Sequence, residues 1–131
     1  MRKFQLLIAL TIFSTQVSAE WELLDSNDEM SFYIDQSTIR DQGTHTAMWA
    51  MVDYNAEKKS DAGAYWSSKY LLLFNCRDRT TGMKMVVNYE EQMGLGKVLF
   101  SDSLESYQVD FNDVIPGSLG EAQLEAACGK K

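Results

Sequence analysis

Residues 44–54 read THTAMWAMVDY, and the fold turns on how this stretch is interpreted. Successive residues of a strand point to opposite faces, so His45, Ala47, Trp49 and Met51 project to one side, and Met48, Ala50, Val52 and Tyr54 to the other. Both sides are apolar through the middle of the segment, which places Thr44 to Tyr54 centrally in a sheet covered on each face. Tyr65 to Phe74 is the next strand, and its run Tyr70, Leu71, Leu72, Leu73, Phe74 is too uniformly apolar for an open face. Cys76 follows just beyond its buried end.

Working outward, Glu20 to Leu24 opens the domain as a short strand. Glu29 to Ile34 is a second strand, ended by Asp35 and the turn residues Asp41, Gln42 and Gly43. Asn55 to Gly63 is charged and small, and reads as a solvated connection. Arg77 to Gly82 leads tightly into Met83 to Tyr89, with Met83, Met85, Val87 and Tyr89 on one face and Lys84, Val86 and Asn88 on the other. Gly94 and Gly96 permit a bend before Lys97 to Phe100, and Tyr107 to Phe111 adds an edge segment.

The chain closes on different chemistry. Pro116 and Gly117 break the strand pattern, and Ser118 stands three residues before Glu121, the spacing of a reciprocal helix cap. A helix from Leu119 to Cys128 follows, with Leu124, Ala127 and Cys128 on one face. Gly129 is suited to a left-handed stop, and Lys130 and Lys131 to the negative helix end. The expected class is α+β, a single antiparallel sheet of about five to six strands with one C-terminal helix packed on it.

Met1, Arg2 and Lys3 followed by the apolar run Phe4 to Phe13 and the small residues Val17, Ser18 and Ala19 form an export signal, 1–19, with a mature domain of 20–131. The apolar run is shorter than the roughly 20 residues of a membrane span, and no later stretch qualifies. The signal holds Arg2 and Lys3 and no acid, so residues 20–131 keep 10 Lys and Arg against 19 Asp and Glu, a formal net charge of −9. That balance argues against nucleic acid and against an anionic membrane surface as partners. The expected destination is the periplasm or the extracellular, outer-surface side, without a lipid anchor, since no cysteine follows the signal to accept one.

Cys76 and Cys128 are the only cysteines, and an even count in an exported chain favours a disulfide. A metal site would want more ligands, and a thioredoxin-like pair would sit two residues apart. Joined, the two sulfurs would tether the helix to the sheet and remove about 4 kcal/mol of unfolded-state freedom.

Catalytic candidates are few. His45 is the only histidine and has no partner at catalytic spacing, so a ring capping the sheet end is its expected role. Met48, Met51, Met83, Met85 and Met93 with His45 are the donor types of a copper or haem site, but methionines on apolar strand faces fill cores. Asp110 with Asp113, and Glu90 with Glu91, read as solvated charges and not as paired acids. No cofactor or metal is expected. The best protein-binding candidates are Lys58 and Lys59 at a loop tip, followed by Tyr65 and Trp66, a cation and aromatic mixture suited to protein contact.

An ordered set of short elements resembles the surface-adhesin protein E family of Gram-negative bacteria. It comprises Tyr33, Ile34 and Asp35 with Ser37 and Ile39; Trp49 with Asp53 and Tyr54; Ser67, Ser68 and Lys69 ahead of the strand ending in Cys76; the glycine turn Gly94 to Val98; and Pro116, Gly117 and Ser118 leading to Cys128. The resemblance implies a small sheet with a disulfide-held C-terminal helix, and attachment to host extracellular-matrix or plasma proteins. The expected function is therefore a non-enzymatic, exported module that binds another protein. The alternative is a periplasmic accessory protein or small-ligand carrier, for metal or haem, without host contact.

Overall fold

Period-two patterning produces a meander in the computed structural model, which describes residues 19–129. The segment 1–19 read as an export signal thus lies outside the described residues except for its last position, and so do Lys130 and Lys131. The strands are β1 (Glu22–Ser26), β2 (Met30–Asp41), β3 (Thr46–Ser60), β4 (Gly63–Asn75), β5 (Thr80–Tyr89), β6 (Val98–Ser103) and β7 (Asn112–Asp113), followed by α1 (Leu119–Cys128). The sheet order is β1-β2-β3-β4-β5-β6, with β7 on β5, and every pairing is antiparallel. β3 is interior, as the two apolar faces of Thr44 to Tyr54 require.

The two faces are covered by different means. On one, Ile34, Met48, Ala50 and Phe74 pack with Leu124 and Ala127 of α1. On the other, Ala47 and Leu73 pack with Val109, joined by Leu71 and Phe111. Each of the larger fully buried side chains contributes about 1.5–3 kcal/mol by leaving water. The Cys76–Cys128 disulfide, with Cα atoms 5.7 Å apart, holds the end of α1 against the turn after β4.

The helix start differs in one bond from the reciprocal cap. Ser118 Oγ accepts from the Glu121 N–H at 3.2 Å, whereas the Glu121 carboxylate accepts from Gly117 N–H at 3.2 Å and not from Ser118. Ser118 N–H donates to the Ile115 carbonyl, so the carboxylate serves the residue before it.

Four boundaries depart from the sequence reading, and bulges cause three of them. β2 does not end at Asp35. Residues 36–39 bulge opposite Met48, and pairing resumes at Arg40. Buried Asp35 organises that bulge by accepting from Ser37 N–H and Oγ, while Thr38 Oγ1 donates to the Asp35 carbonyl and accepts from Trp49 N–H. Asn55 to Gly63 is likewise not a solvated connection, because β3 bulges over residues 54–57 and pairs again with β4 from Lys58 to Ser60. On β5, Met83 pairs with Leu72 while Met85 pairs with Leu71, so the irregularity at Lys84 sends the two methionines to opposite faces. Tyr107 to Phe111 is not an edge strand. A turn at Ser106–Gln108 carries Val109 onto the sheet, and the edge pairing falls on Asn112–Asp113.

Candidate functional site

Register is lost between Asp53 and Lys58, where four residues of β3 oppose Trp66 alone. The N–H of Asn55 donates to the Glu29 carbonyl at 2.9 Å and its side-chain amide to the Asp28 carbonyl at 2.8 Å, which secures the bulge to the β1–β2 turn. Beyond it the β3–β4 hairpin runs past the end of β5, whose last pair is Tyr89 with Ser67. Lys58 pairs with Tyr65 and Lys59 with Ala64 on this projection.

The projection gathers a cation and two rings. The Lys58 ammonium lies 5.3 Å from the centroid of Tyr54, and the Tyr54 and Tyr65 rings meet edge to face at 5.9 Å. Burial, followed by a hydrogen bond with Tyr70, pushes the Tyr54 hydroxyl up to about 12. Tyr54 is thus a neutral platform at any physiological pH, and its face attracts the ammonium. Lys59 is exposed.

Residues 90–97 fold back over the sheet beside this hairpin, pinned by polar contacts. Met93 N–H donates to Asp53 Oδ1 at 2.7 Å, Gly94 N–H to Ser67 Oγ at 2.8 Å, and Ser67 Oγ to the Glu91 carbonyl at 2.6 Å. Gly94 has φ +67 and lies directly on the Lys69 side chain, where a Cβ would also stand 3.4 Å from Met51 Sδ. Lys69 in turn places its ammonium 4.8 Å from the Tyr89 ring centroid and 5.5 Å from that of Trp21. Asp53, Ser67, Lys69 and Gly94, scattered over three sequence elements, thereby form one anchor.

The anchored loop borders a shallow, open depression of about 470 Å³ lined by Trp66, Glu90, Glu91, Gln92 and Leu95. Lys58 and Tyr65 are brought together as a surface, whereas Trp66 belongs to this neighbouring depression. The sequence reading takes Glu90 and Glu91 as solvated charges and does not single out Leu95. The available signal was Leu95 set between Gly94 and Gly96, an apolar residue in a loop whose backbone holds it outward.

The other candidates lie apart from one another, and Met83 is exposed instead of filling the core. His45 stacks on Phe111 with ring centroids 4.7 Å apart, so its ring covers the sheet end. Met48 and Met51 are buried on opposite faces of β3. Among the described residues no group of three or more His, Cys, Asp or Glu is placed to hold a metal ion. Asp113 lies in β7 opposite Thr80, and the Asp110 carbonyl lies against Gly82. A larger cleft, about 1070 Å³, opens at the other end of the sheet beside the disulfide, where Thr44, Thr46, Arg77, Arg79 and Glu125 contribute to its wall.

The family model described as surface-adhesin protein E matches residues 21–129. The chain belongs to the surface-adhesin protein E family. Among solved structures it is similar to Haemophilus influenzae protein E, with 18% identity and a TM-score of 0.60 over 87% of this chain and 89% of that one. Protein E from non-typeable Haemophilus influenzae is 17% identical, with a TM-score of 0.58 over 86% and 79%. A second crystal form of Haemophilus influenzae protein E gives 14% and 0.57 over 80% and 91%. At these identities the likeness speaks for the fold. Among curated proteins none matches the chain. The adhesin E fold of this chain therefore includes the α1 tether and the two-sided core described above, and no helix among the described residues is long and apolar enough to cross a membrane.

Proposed function

We propose that the protein is an exported, non-enzymatic binding module of the adhesin type, which attaches to another protein through the projecting end of its sheet. The observation that carries this reading is the Lys58–Tyr54–Tyr65 cluster on a hairpin that overruns the sheet. Cross-strand pairing and the Tyr54 platform hold the cation and rings in place before any partner arrives, which lowers the ordering cost of binding. Membership of a family named for surface adhesion supports the class of partner, host extracellular-matrix or plasma proteins. Residues 1–19 act as the cleaved export signal in this reading.

The test is binding of the purified domain to immobilised matrix and plasma proteins. Replacement of Lys58, Lys59 and Tyr65 with Ala weakens capture while the melting temperature holds; undiminished capture moves the site elsewhere. Protease treatment of intact cells adds a second arm, since full protection until the outer membrane is broken eliminates direct adhesion.

The cleft beside the disulfide favours a second reading, a periplasmic accessory or small-ligand carrier. A ligand that binds only the folded state raises its melting temperature. An unchanged melt across Cu(I) and haem titrations retires the metal and haem forms of that reading.

A further inference from the structure

The shallow Trp66 depression is lined by residues of the β5–β6 connection, which leads directly into an open sheet edge. Leu95 is 62% exposed, and Val98, Phe100 and Leu104 extend the apolar series along and just past β6 at 48%, 44% and 39%. Among the described residues no strand pairs with the outer edge of β6. An unpaired edge offers a row of backbone donors and acceptors to an incoming strand. The rim is acidic. Glu90 and Glu91 line the depression, and Asp102 and Glu105 accompany β6 and the turn after it, against Lys97 and Lys84, the latter donating to Ser106 Oγ at 3.3 Å. The one salt bridge among the described residues, Arg79–Glu121, involves none of these acids.

We propose that the Trp66–Leu95 depression and the β6 edge together dock an extended basic segment of a partner protein by strand addition. This rests on the binding-module reading and adds a second contact beside the hairpin lysines. Main-chain bonds to β6 supply register, and alternate side chains supply selectivity. The aliphatic stem of a partner Lys or Arg lies on Trp66 and Leu95 while its charge meets Glu90 and Glu91, the division of labour expected of such amphipathic chains. Charge complementarity selects this occupant. A second copy would bring another formal charge of −9 over residues 20–131, and an anionic membrane would repel the same rim. The other outer strand, β1, is a poorer dock because it carries only Leu23 as an exposed large apolar side chain.

A fluorescein-labelled ten-residue peptide alternating lysine and valine, with a glutamate-for-lysine counterpart, tests the dock by anisotropy and hydrogen exchange. The lysine peptide binds, slows exchange across Val98–Ser103, and loses affinity about tenfold in the Glu90→Lys/Glu91→Lys variant, the order expected for losing a close charge contact. Leu95→Ser weakens it as well, whereas the control Asp25→Lys/Asp28→Lys leaves it unchanged. All four substituted acids and Leu95 are exposed, so the variants keep the fold. Equal binding of the glutamate peptide, equal loss in the β1 control, protection at β1 instead of β6, or a β6-paired dimer in sedimentation overturns the proposal. Because the assay uses no host protein, its failure leaves the adhesin reading standing; absent host-protein capture with intact peptide binding sinks that reading alone.

Discussion

The backbone N–H of Met93 donates to the Asp53 carboxylate at 2.7 Å, across 40 residues of sequence. This bond holds residues 90–97 to the sheet, and a hydrogen bond to a charged group is worth about 1.5–3 kcal/mol. Asp53→Ala is expected to lower stability by that order in urea denaturation. Exchange at the Met93 amide should rise more than exchange in β2; equal protection of Met93 in the variant would deny Asp53 its anchoring role.

Reduction of Cys76–Cys128 should be felt first in α1. The crosslink closes a loop with a sequence separation of 52, so Cys76→Ser with Cys128→Ser is expected to cost about 4 kcal/mol in the chain-entropy account. Far-ultraviolet circular dichroism of the double variant should lose helical signal at lower denaturant than sheet signal. A single transition unmoved from that of the oxidised protein would show the tether to be dispensable.

Gly82 is required for its lack of a side chain, not for a special φ. A Cβ there would stand 2.6 Å from the Asp110 carbonyl oxygen and 2.5 Å from Val109 Cγ1. Gly82→Ala forces the segment carrying Val109 off the sheet and is expected to destabilise the fold by about 1–3 kcal/mol, the usual range for overpacking. His45 should become more exposed as Phe111 moves, which its proton resonance shifts would report.

Tyr54 sets an alkaline limit. Its hydroxyl is raised to about 12 from 10.0 by burial and then by Tyr70. Below pH 10 the folded and unfolded chains are both protonated at this position and it adds no pH dependence. Between pH 10 and 12 the unfolded chain releases the proton while the folded chain keeps it, so stability falls as pH rises through this window. Melting temperatures across that range should drop less steeply in Tyr54→Phe, and a slope identical to that of the parent protein would contradict the assignment.

Much of the fold was readable because its signals are local. The two apolar faces of β3, the uniform run in β4, and Ser118 three residues ahead of Glu121 each lie within a few residues, and the structure places β3 inside the sheet and α1 at Leu119–Cys128. The bulges at 36–39 and 54–57 were not readable. Their geometry is set by Asp35, Thr38 and Asn55 bonding to backbone groups, and polar residues after an apolar run look the same whether a strand stops or bulges. The candidate site divides in the same way. Lys58, Tyr65 and Trp66 stood out by type, but the companions of Trp66 lie more than 20 residues away in a loop without a periodic pattern.

Patterning of neighbouring residues by itself determined an antiparallel sheet with a buried centre, a terminal helix, and two cysteines able to join them. Only the tertiary structure decided which segments cover the second face and what surface they leave open, through bonds such as Met93 to Asp53 and Gly94 to Ser67. The physical reason is range. Side-chain alternation is dictated by backbone geometry from one residue to the next, whereas a polar anchor between distant segments leaves no periodic trace in either of them.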